Sequence, residues 1–192
     1  DVEADIERVH YLSEAVGNKM RIRVDANAGY TLPQLKQFIS ATAQLNIELI
    51  EQPMPVGNEH LLAGLPFSTV EHLVADESLT DLISAKKLAQ LPLPYGVFNI
   101  KLMKAGGLLA AKDIAEIAAT QQIKLFWGCN DESIISIAAA LHIAYACSNT
   151  RYLDLDGSFE IIEQLVSGGF EVIDGSMFIV GNSGLGIERK IK

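Results

Sequence analysis

The chain has 192 residues, of which 49% are hydrophobic and 20% charged, and its formal net charge is −9. That is enough apolar material for one domain with a sizeable core, and too much for a disordered chain. The acidic balance argues against nucleic acid and anionic membrane as partners, yet leaves acidic small molecules open where a bound cation reverses the local field.

Helix and strand patterns alternate along the chain. Residues 1–16 are amphipathic, with Ile6, Val9, Leu12 and Val16 on one stripe and Gly17 as the stop. RIRVDA at 21–26 reads as a strand. Thr31 caps a helix that carries Pro33 in its first turn and runs to about residue 45. IELIEQ at 47–52 is a strand stopped by Pro53 and Pro55, and a short helix follows near 59–65. LVAD at 73–76 is a strand, and a helix over 79–91 ends at Pro92 and Pro94. A strand at 97–102, an Ala-rich helix at 108–121, a strand KLFWGC at 124–129, a second Ala-rich helix at 132–146 and a strand RYLDL at 151–155 complete the series.

A repeat of about 25 residues without a linker implies parallel strands joined by right-handed crossovers. A doubly wound sheet and a (β/α) TIM-type barrel both satisfy that pattern. A doubly wound sheet calls for a glycine-rich phosphate loop after an early strand, and none is present. GNSGLG at 181–186 matches one only by letters, because no helix pattern follows it; it reads as a loop. The barrel is therefore the expected architecture, as an incomplete parallel barrel with about six of its eight strands and a C-terminal tail at about 168–192 within one domain.

In a parallel barrel the chemistry gathers at the C-terminal ends of the strands. Those ends read Asp25, Glu51, Asp76, Lys101, then Cys129 to Glu132, then Asp154 and Asp156; the first four are spaced by 26, 25 and 25 residues. Three carboxylates ending three consecutive apolar runs (RIRVD, IELIE, HLVAD) are costly to bury together unless a cation offsets their repulsion. An oxygen-only donor set without His or Cys favours Mg2+ over Zn2+. Lys101, at the end of the apolar strand VFNIK, would otherwise be a lysine snorkelling outward. Beside a cation and partly buried, its pKa would fall towards that of a general base. Metal and lysine then suit abstraction of the α-proton of a carboxylate substrate, with the metal stabilising the resulting enediolate.

The histidines, His10, His60, His72 and His142, are scattered, and Cys129 and Cys147 form no CxxC or Cys/His ligand spacing. Buried free thiols in a reducing compartment are expected. There is no run of roughly 18 apolar residues and no cationic start leading into an apolar stretch, so neither a membrane span nor a leader is expected.

VDANAGY (24–30), IEQP (50–53), ADES (75–78) and NIKLMKAGG (99–107), in this order and spacing, resemble the enolase superfamily, muconate-lactonising subgroup. The resemblance covers nearly the whole chain, from the helix before Arg21 to GLGIE at 184–188. It implies that Asp25, Glu51 and Asp76 are Mg2+ ligands and Lys101 an acid/base lysine. Asn27, Glu77 and Lys104 look like outer partners that orient these groups. LDLDG at 153–157 places Asp154 and Asp156 on one face by strand period, although the same letters suit a turn before Gly157. The pair looks like the DxD element with which dipeptide epimerases hold a substrate α-ammonium. WGCNDES at 127–133 resembles the corresponding segment of Ala-Glu epimerase-like members, often GCMxES, and departs from it at Asn130 and Asp131.

The implied function is Mg2+-dependent epimerisation of dipeptides of the Ala-Glu type, in the cytoplasm. The alternatives are a cycloisomerase or acid-sugar dehydratase of the same superfamily, or an inactive fragment. The family's second base lies in a KxK motif, which this sequence does not contain; Lys19 precedes the wrong strand. The N-terminal capping domain and first two barrel strands are likewise not represented, so the expectation is a C-terminal portion of a longer enzyme. With Lys101 alone, α-proton exchange without inversion is expected. Six strands leave two open edges, which favour a homo-oligomer.

Overall fold

A computed structural model describes residues 1–181 and 183–190. Six strands form one sheet in the order β1 (Ile22–Asp25), β2 (Ile47–Glu51), β3 (Leu73–Ala75), β4 (Val97–Ile100), β5 (Lys124–Trp127) and β6 (Thr150–Leu153). Pairing is parallel from β1 to β4 and between β5 and β6. Sequential order with helical crossovers is that of a parallel (β/α) TIM-type barrel, with six strands where a complete one has eight; a doubly wound sheet would reverse direction partway. The chain divides into two compact units, residues 1–80 with 87–98, and residues 81–86 with 99–192.

In the first unit, α1 (Val2–Val16) begins where the Asp1 carboxylate accepts the N–H of Glu3 at 3.2 Å, and it ends at Gly17, with φ +55. Of its expected apolar stripe only Val9 is buried, and Leu12 is 45% exposed. The helix is held instead by polar contacts: the Tyr30 hydroxyl donates to Asp5 at 3.2 Å, and His10 lies 3.1 Å from the Ala41 carbonyl. α2 (Leu32–Ala41) starts at Thr31, whose N–H and hydroxyl both donate to the Gln34 side chain at 2.9 and 2.8 Å. It buries Leu35 and Phe38, and ends four residues earlier than its sequence pattern suggests. Two short helices, α3 (Glu59–Leu62) and α4 (Phe67–Val70), lead into β3; the second has no periodicity long enough to show in sequence. α5 (Leu82–Leu88) occupies the middle of the expected 79–91 helix and passes from the second unit, up to Lys86, back to the first at Lys87. Leu49, Leu73, Val74, Tyr95, Val97 and Phe98 make the core of this unit.

In the second unit β4 stops at Ile100, and the expected strand residue Leu102 instead opens a single helical turn, α6 (Leu102–Ala105). Gly106 and Gly107, at φ +91 and +97, end that turn and start α7 (Leu108–Thr120). The Ala-rich faces of α7 and α8 (Ile134–Ala146) bury Ala111, Ala115, Ala118 and Ala138 to Ala140 beside Trp127, whose indole N–H donates to Thr150 at 3.0 Å. The tail holds four strands the sequence reading did not anticipate. β7 (Val166–Gly168) pairs antiparallel with β10 (Ile187–Arg189), and β8 (Phe170–Ile173) with β9 (Ser176–Ile179). The β8–β9 turn is Asp174–Gly175, both at positive φ, the geometry that an Asp-Gly pair favours in a two-residue hairpin. In GNSGLG the described residues form bends and turns, as expected, and Asn182 lies outside the described residues. Among the described residues, no helix is long and apolar enough to cross a membrane.

One charge cluster, a largely buried glutamate under two exposed arginines, fastens the first two strands. Glu48, its side chain 12% exposed, accepts from Arg21 at 2.7 Å and from Arg23 at 2.8 Å. Burial works to raise the Glu48 pKa, but the two guanidinium hydrogen bonds and charges outweigh it and hold the carboxyl below its usual range. A depressed folded pKa contributes stability above the ordinary carboxylate pKa, and loses it as pH falls through the folded value. Glu48→Gln should therefore lower stability by about 1 kcal/mol at neutral pH, the partners being largely exposed. Thermal midpoints of variant and parent should converge only once the pH has fallen through the depressed carboxyl pKa of folded Glu48, below the ordinary glutamate range.

Candidate active site

The acidic strand ends of the first unit are set side by side by register. Asp25 pairs with Glu51 across β1 and β2, and Glu51 pairs with Val74 on β3. Laterally paired residues share a face, and strand period carries that face from Val74 to Asp76. Burial rises along the series: Asp25 is exposed, Glu51 half-buried and Asp76 6% exposed. The Asn27 backbone N–H donates to the Asp25 carboxylate at 2.9 Å, so it is the main chain of Asn27 that steadies Asp25, with the backbone at φ +45. Glu77 is half-buried, and its Oε2 atom is buried with no hydrogen-bond partner.

As the side chains are placed, no group of three or more His, Cys, Asp or Glu among the described residues is gathered closely enough to hold a metal ion. Carboxylates on adjacent strands repel one another and gather only around a counter-charge. Two observations nevertheless fit a hard divalent cation here. The donors are all carboxylate oxygens on neighbouring strand ends. The orphaned Glu77 oxygen also leaves an acceptor unsatisfied next in sequence to Asp76, where a buried polar atom calls for a partner.

What the sequence did not single out is the polar network behind these ends. Gln52 is fully buried; its Oε1 accepts the N–H groups of Asp76 at 3.0 Å and Ser78 at 3.1 Å. Its Nε2 lies 2.8 Å from the Met54 carbonyl, 2.9 Å from the Ser78 hydroxyl and 3.2 Å from the Tyr95 hydroxyl. Ser78 in turn donates to Glu59 at 2.7 Å. Burial pushes the Tyr95 phenol up to about 12, against hydrogen bonds from Ser78 and Gln52 and aided by the charge of Glu59, so it remains a donor. The only signal in the sequence is the Gln between Glu51 and Pro53.

In the second unit Lys101 is half-buried directly after β4, and its carbonyl accepts the N–H groups of Lys104 at 3.1 Å and Ala105 at 2.9 Å. The helical turn thus fixes the Lys101 backbone and puts the half-buried Lys104 one turn away. Asp154 and Asp156 are both exposed, on either side of buried Leu155. The Asp154 N–H extends the β5–β6 ladder to the Trp127 carbonyl at 2.9 Å, and the Asp156 carbonyl accepts from Phe159 at 2.8 Å. The segment is therefore a strand end that runs into a turn, combining both sequence readings.

Cys129 binds this segment together. Its thiol donates to the Asp154 carbonyl at 3.3 Å, lies 3.8 Å from the Asp156 carboxylate and accepts the Gly157 N–H at 3.3 Å. Burial pushes the thiol pKa up; the Gly157 N–H opposes this, while the Asp156, Glu132 and Asp154 charges add to it. Cys129 is thereby kept protonated at neutral pH and able to donate. Glu132, 4% exposed, accepts from the Asn130 N–H at 2.9 Å and from the Ser136 hydroxyl, while its own N–H donates to the Gly157 carbonyl at 3.1 Å.

A family model described as Enolase C-terminal domain-like matches residues 1–191. The L-Lys-D/L-Arg epimerase of Methylococcus capsulatus is 47% identical over 187 residues, covering 97% of this chain and 52% of that protein. The protein of the same name from Desulforapulum autotrophicum is 43% identical over 189 residues, covering 98% and 53%. Among solved structures, the dipeptide epimerase of Methylococcus capsulatus in complex with Mg and the dipeptide L-Arg-D-Lys superposes with a TM-score of 0.94 at 47% identity, covering 97% of this chain and 53% of that one. The chain spans about half the length of the curated relatives it matches.

Gly157 allows the close approach that seats the Asp154–Asp156 segment: a Cβ there would lie 1.9 Å from the Asn130 carbonyl oxygen. Gly157→Ala should cost about 1–3 kcal/mol of stability through overpacking. It should also raise the reactivity of Cys129 towards thiol reagents as the segment lifts away; unchanged thermal midpoint and thiol reactivity would contradict this account.

Proposed function

Because the chain belongs to the enolase C-terminal domain-like family, we propose that it carries the metal-binding and base-bearing part of a dipeptide epimerase. Asp25, Glu51 and Asp76 hold Mg2+, and Lys101 takes and returns the proton at the dipeptide α-carbon. Asp154 and Asp156 bind its α-ammonium group. Asn27, Glu77 and Lys104 orient these groups. Bound at the carboxylates, Mg2+ supplies positive charge opposite the substrate carboxylate, which makes the α-proton more acidic. The observation that carries the reading is the register that sets Asp25 beside Glu51 with Asp76 ending the next strand.

The chain's residues divide the work. Lys101 sits on a backbone pinned by the turn after β4, so its amine is presented from a fixed base. The Asp154 and Asp156 pair, held through Leu155 and Cys129, offers two negative charges to a cationic group. A cycloisomerase acting on a dianion gains nothing from such a pair, which favours the epimerase within the superfamily. The relatives at 47% and 43% identity are named for Lys and Arg dipeptides. Together with exposed Asp131 in a chain of net charge −9, they favour cationic side chains over the Ala-Glu type. A cytoplasmic location and self-association belong to this reading.

Lys-Arg and Ala-Glu dipeptides incubated with the protein and Mg2+ in deuterated buffer should both report on the reaction, with faster deuterium wash-in at the α-carbon of the cationic ones. Lys101→Ala should reduce wash-in by about 100- to 10,000-fold, the range for loss of a general base. Wash-in that ignores this substitution, or no exchange with any dipeptide alongside turnover of a dianionic cycloisomerase substrate, would refute the reading.

A further inference from the structure

We infer that Gln52 is a positioning residue that sets the three carboxylate-bearing strand ends relative to one another, an inference that rests on the metal reading above. The argument is in the ladder. In a continuing parallel pair, the Gln52 N–H donates to the Val74 carbonyl and the Gln52 carbonyl receives the Asp76 N–H. The first bond is present at 2.9 Å. The Gln52 backbone turns to φ +31, and its carbonyl instead accepts the Ala28 N–H at 2.7 Å. Its side-chain oxygen stands in for the lost carbonyl and takes the Asp76 N–H at 3.0 Å.

One residue thus touches all three ends. Its carbonyl holds the segment that follows Asp25, its peptide continues Glu51, and its amide oxygen holds the backbone of Asp76 and, at 3.1 Å, of Ser78. With the carbonyl turned towards Ala28, contact with the Asp76 N–H falls to the side-chain amide. The amide nitrogen is anchored by Met54, Ser78 and Tyr95, so the oxygen cannot swing away. Glutamate at this position would keep the acceptor but lose the donor to the Met54 carbonyl, and would add a charge to a network that already holds Glu59. The placement requires an amide of this length.

The test is binding of Mn2+ alone, followed by electron paramagnetic resonance, so that no turnover is needed. Gln52→Met, which keeps length and apolar packing but has no amide, should weaken Mn2+ binding 10- to 100-fold, the range for loss of an orienting partner. Tyr95→Phe, which removes one anchor of the amide without altering a carboxylate strand end, should weaken it by a smaller factor and serves if Gln52→Met does not fold. Leu35→Ala, a core change of α2 with no part in the network, should lower the thermal midpoint and leave Mn2+ affinity within about twofold, which separates positioning from general loosening. Mn2+ affinity unchanged in every folded Gln52 and Tyr95 variant overturns the inference while the metal reading stands. A parent protein that binds no Mn2+ overturns both.

Discussion

Parallel pairing imposes a constraint on everything described here: neighbouring strands must finish at the same edge of the sheet. In the first unit the β1–β2–β3 register converts a sequence interval of about 25 residues into lateral pairing of Asp25 with Glu51, and places Asp76 two residues beyond Val74, the β3 partner of Glu51. The constraint is geometric and indifferent to charge, so it sets on neighbouring strand ends groups that electrostatics would keep apart. The local chemistry answers that conflict in stages. Glu48 and its two arginines neutralise charge lower on β1 and β2, and the Gln52 amide organises the backbone at the top without adding any charge.

The two units handle their polar ends differently. In the first, rigidity comes from a buried amide and hydroxyl network of Gln52, Ser78, Tyr95 and Glu59 behind the carboxylates. In the second, the exposed acids Asp154 and Asp156 hang on a thiol, a glycine and one buried leucine. A metal site needs donors held within tenths of an ångström, which suits the stiffer arrangement. An ammonium group accepts a range of approach directions, which suits the looser one. The difference in construction is consistent with the division of labour proposed for the two sets of residues.

Much of this was legible in the sequence, and the reasons are physical. Apolar runs of four or five residues closed by a single acid locate β1, β2 and β3 and their acidic ends, because strand period and end position are local properties. The helices of ten or more residues were visible, α1 by its periodicity and α7 and α8 by their Ala-rich runs, and Thr31 with Pro33 marked the start of α2. What stayed hidden depends on partners far along the chain. Gln52 reads as a neutral polar residue before a proline; its task appears only once Asp76, Met54 and Tyr95 surround it. The turn after Lys101 was mistaken for strand because Leu102 continues the alternation for one more step before the glycines act. The Asp174–Gly175 hairpin had a local signal, flanked by Val172, Ile173, Met177 and Phe178, and was overlooked in a tail treated as irregular. The α1 stripe misled in the other direction: apolar spacing was right, but α1 is held largely by the polar contacts of Asp5 and His10.

The Glu132 carboxylate fixes the loop before α8 from beneath. It grips the loop by the main chain of Asn130 and by the Ser136 hydroxyl, and its own amide is tied to Gly157. None of these bonds involves the side chain of position 130 or 131. The frame of the loop is independent of its fittings, so side chains at those two sites can change while the backbone beneath them stays where it is.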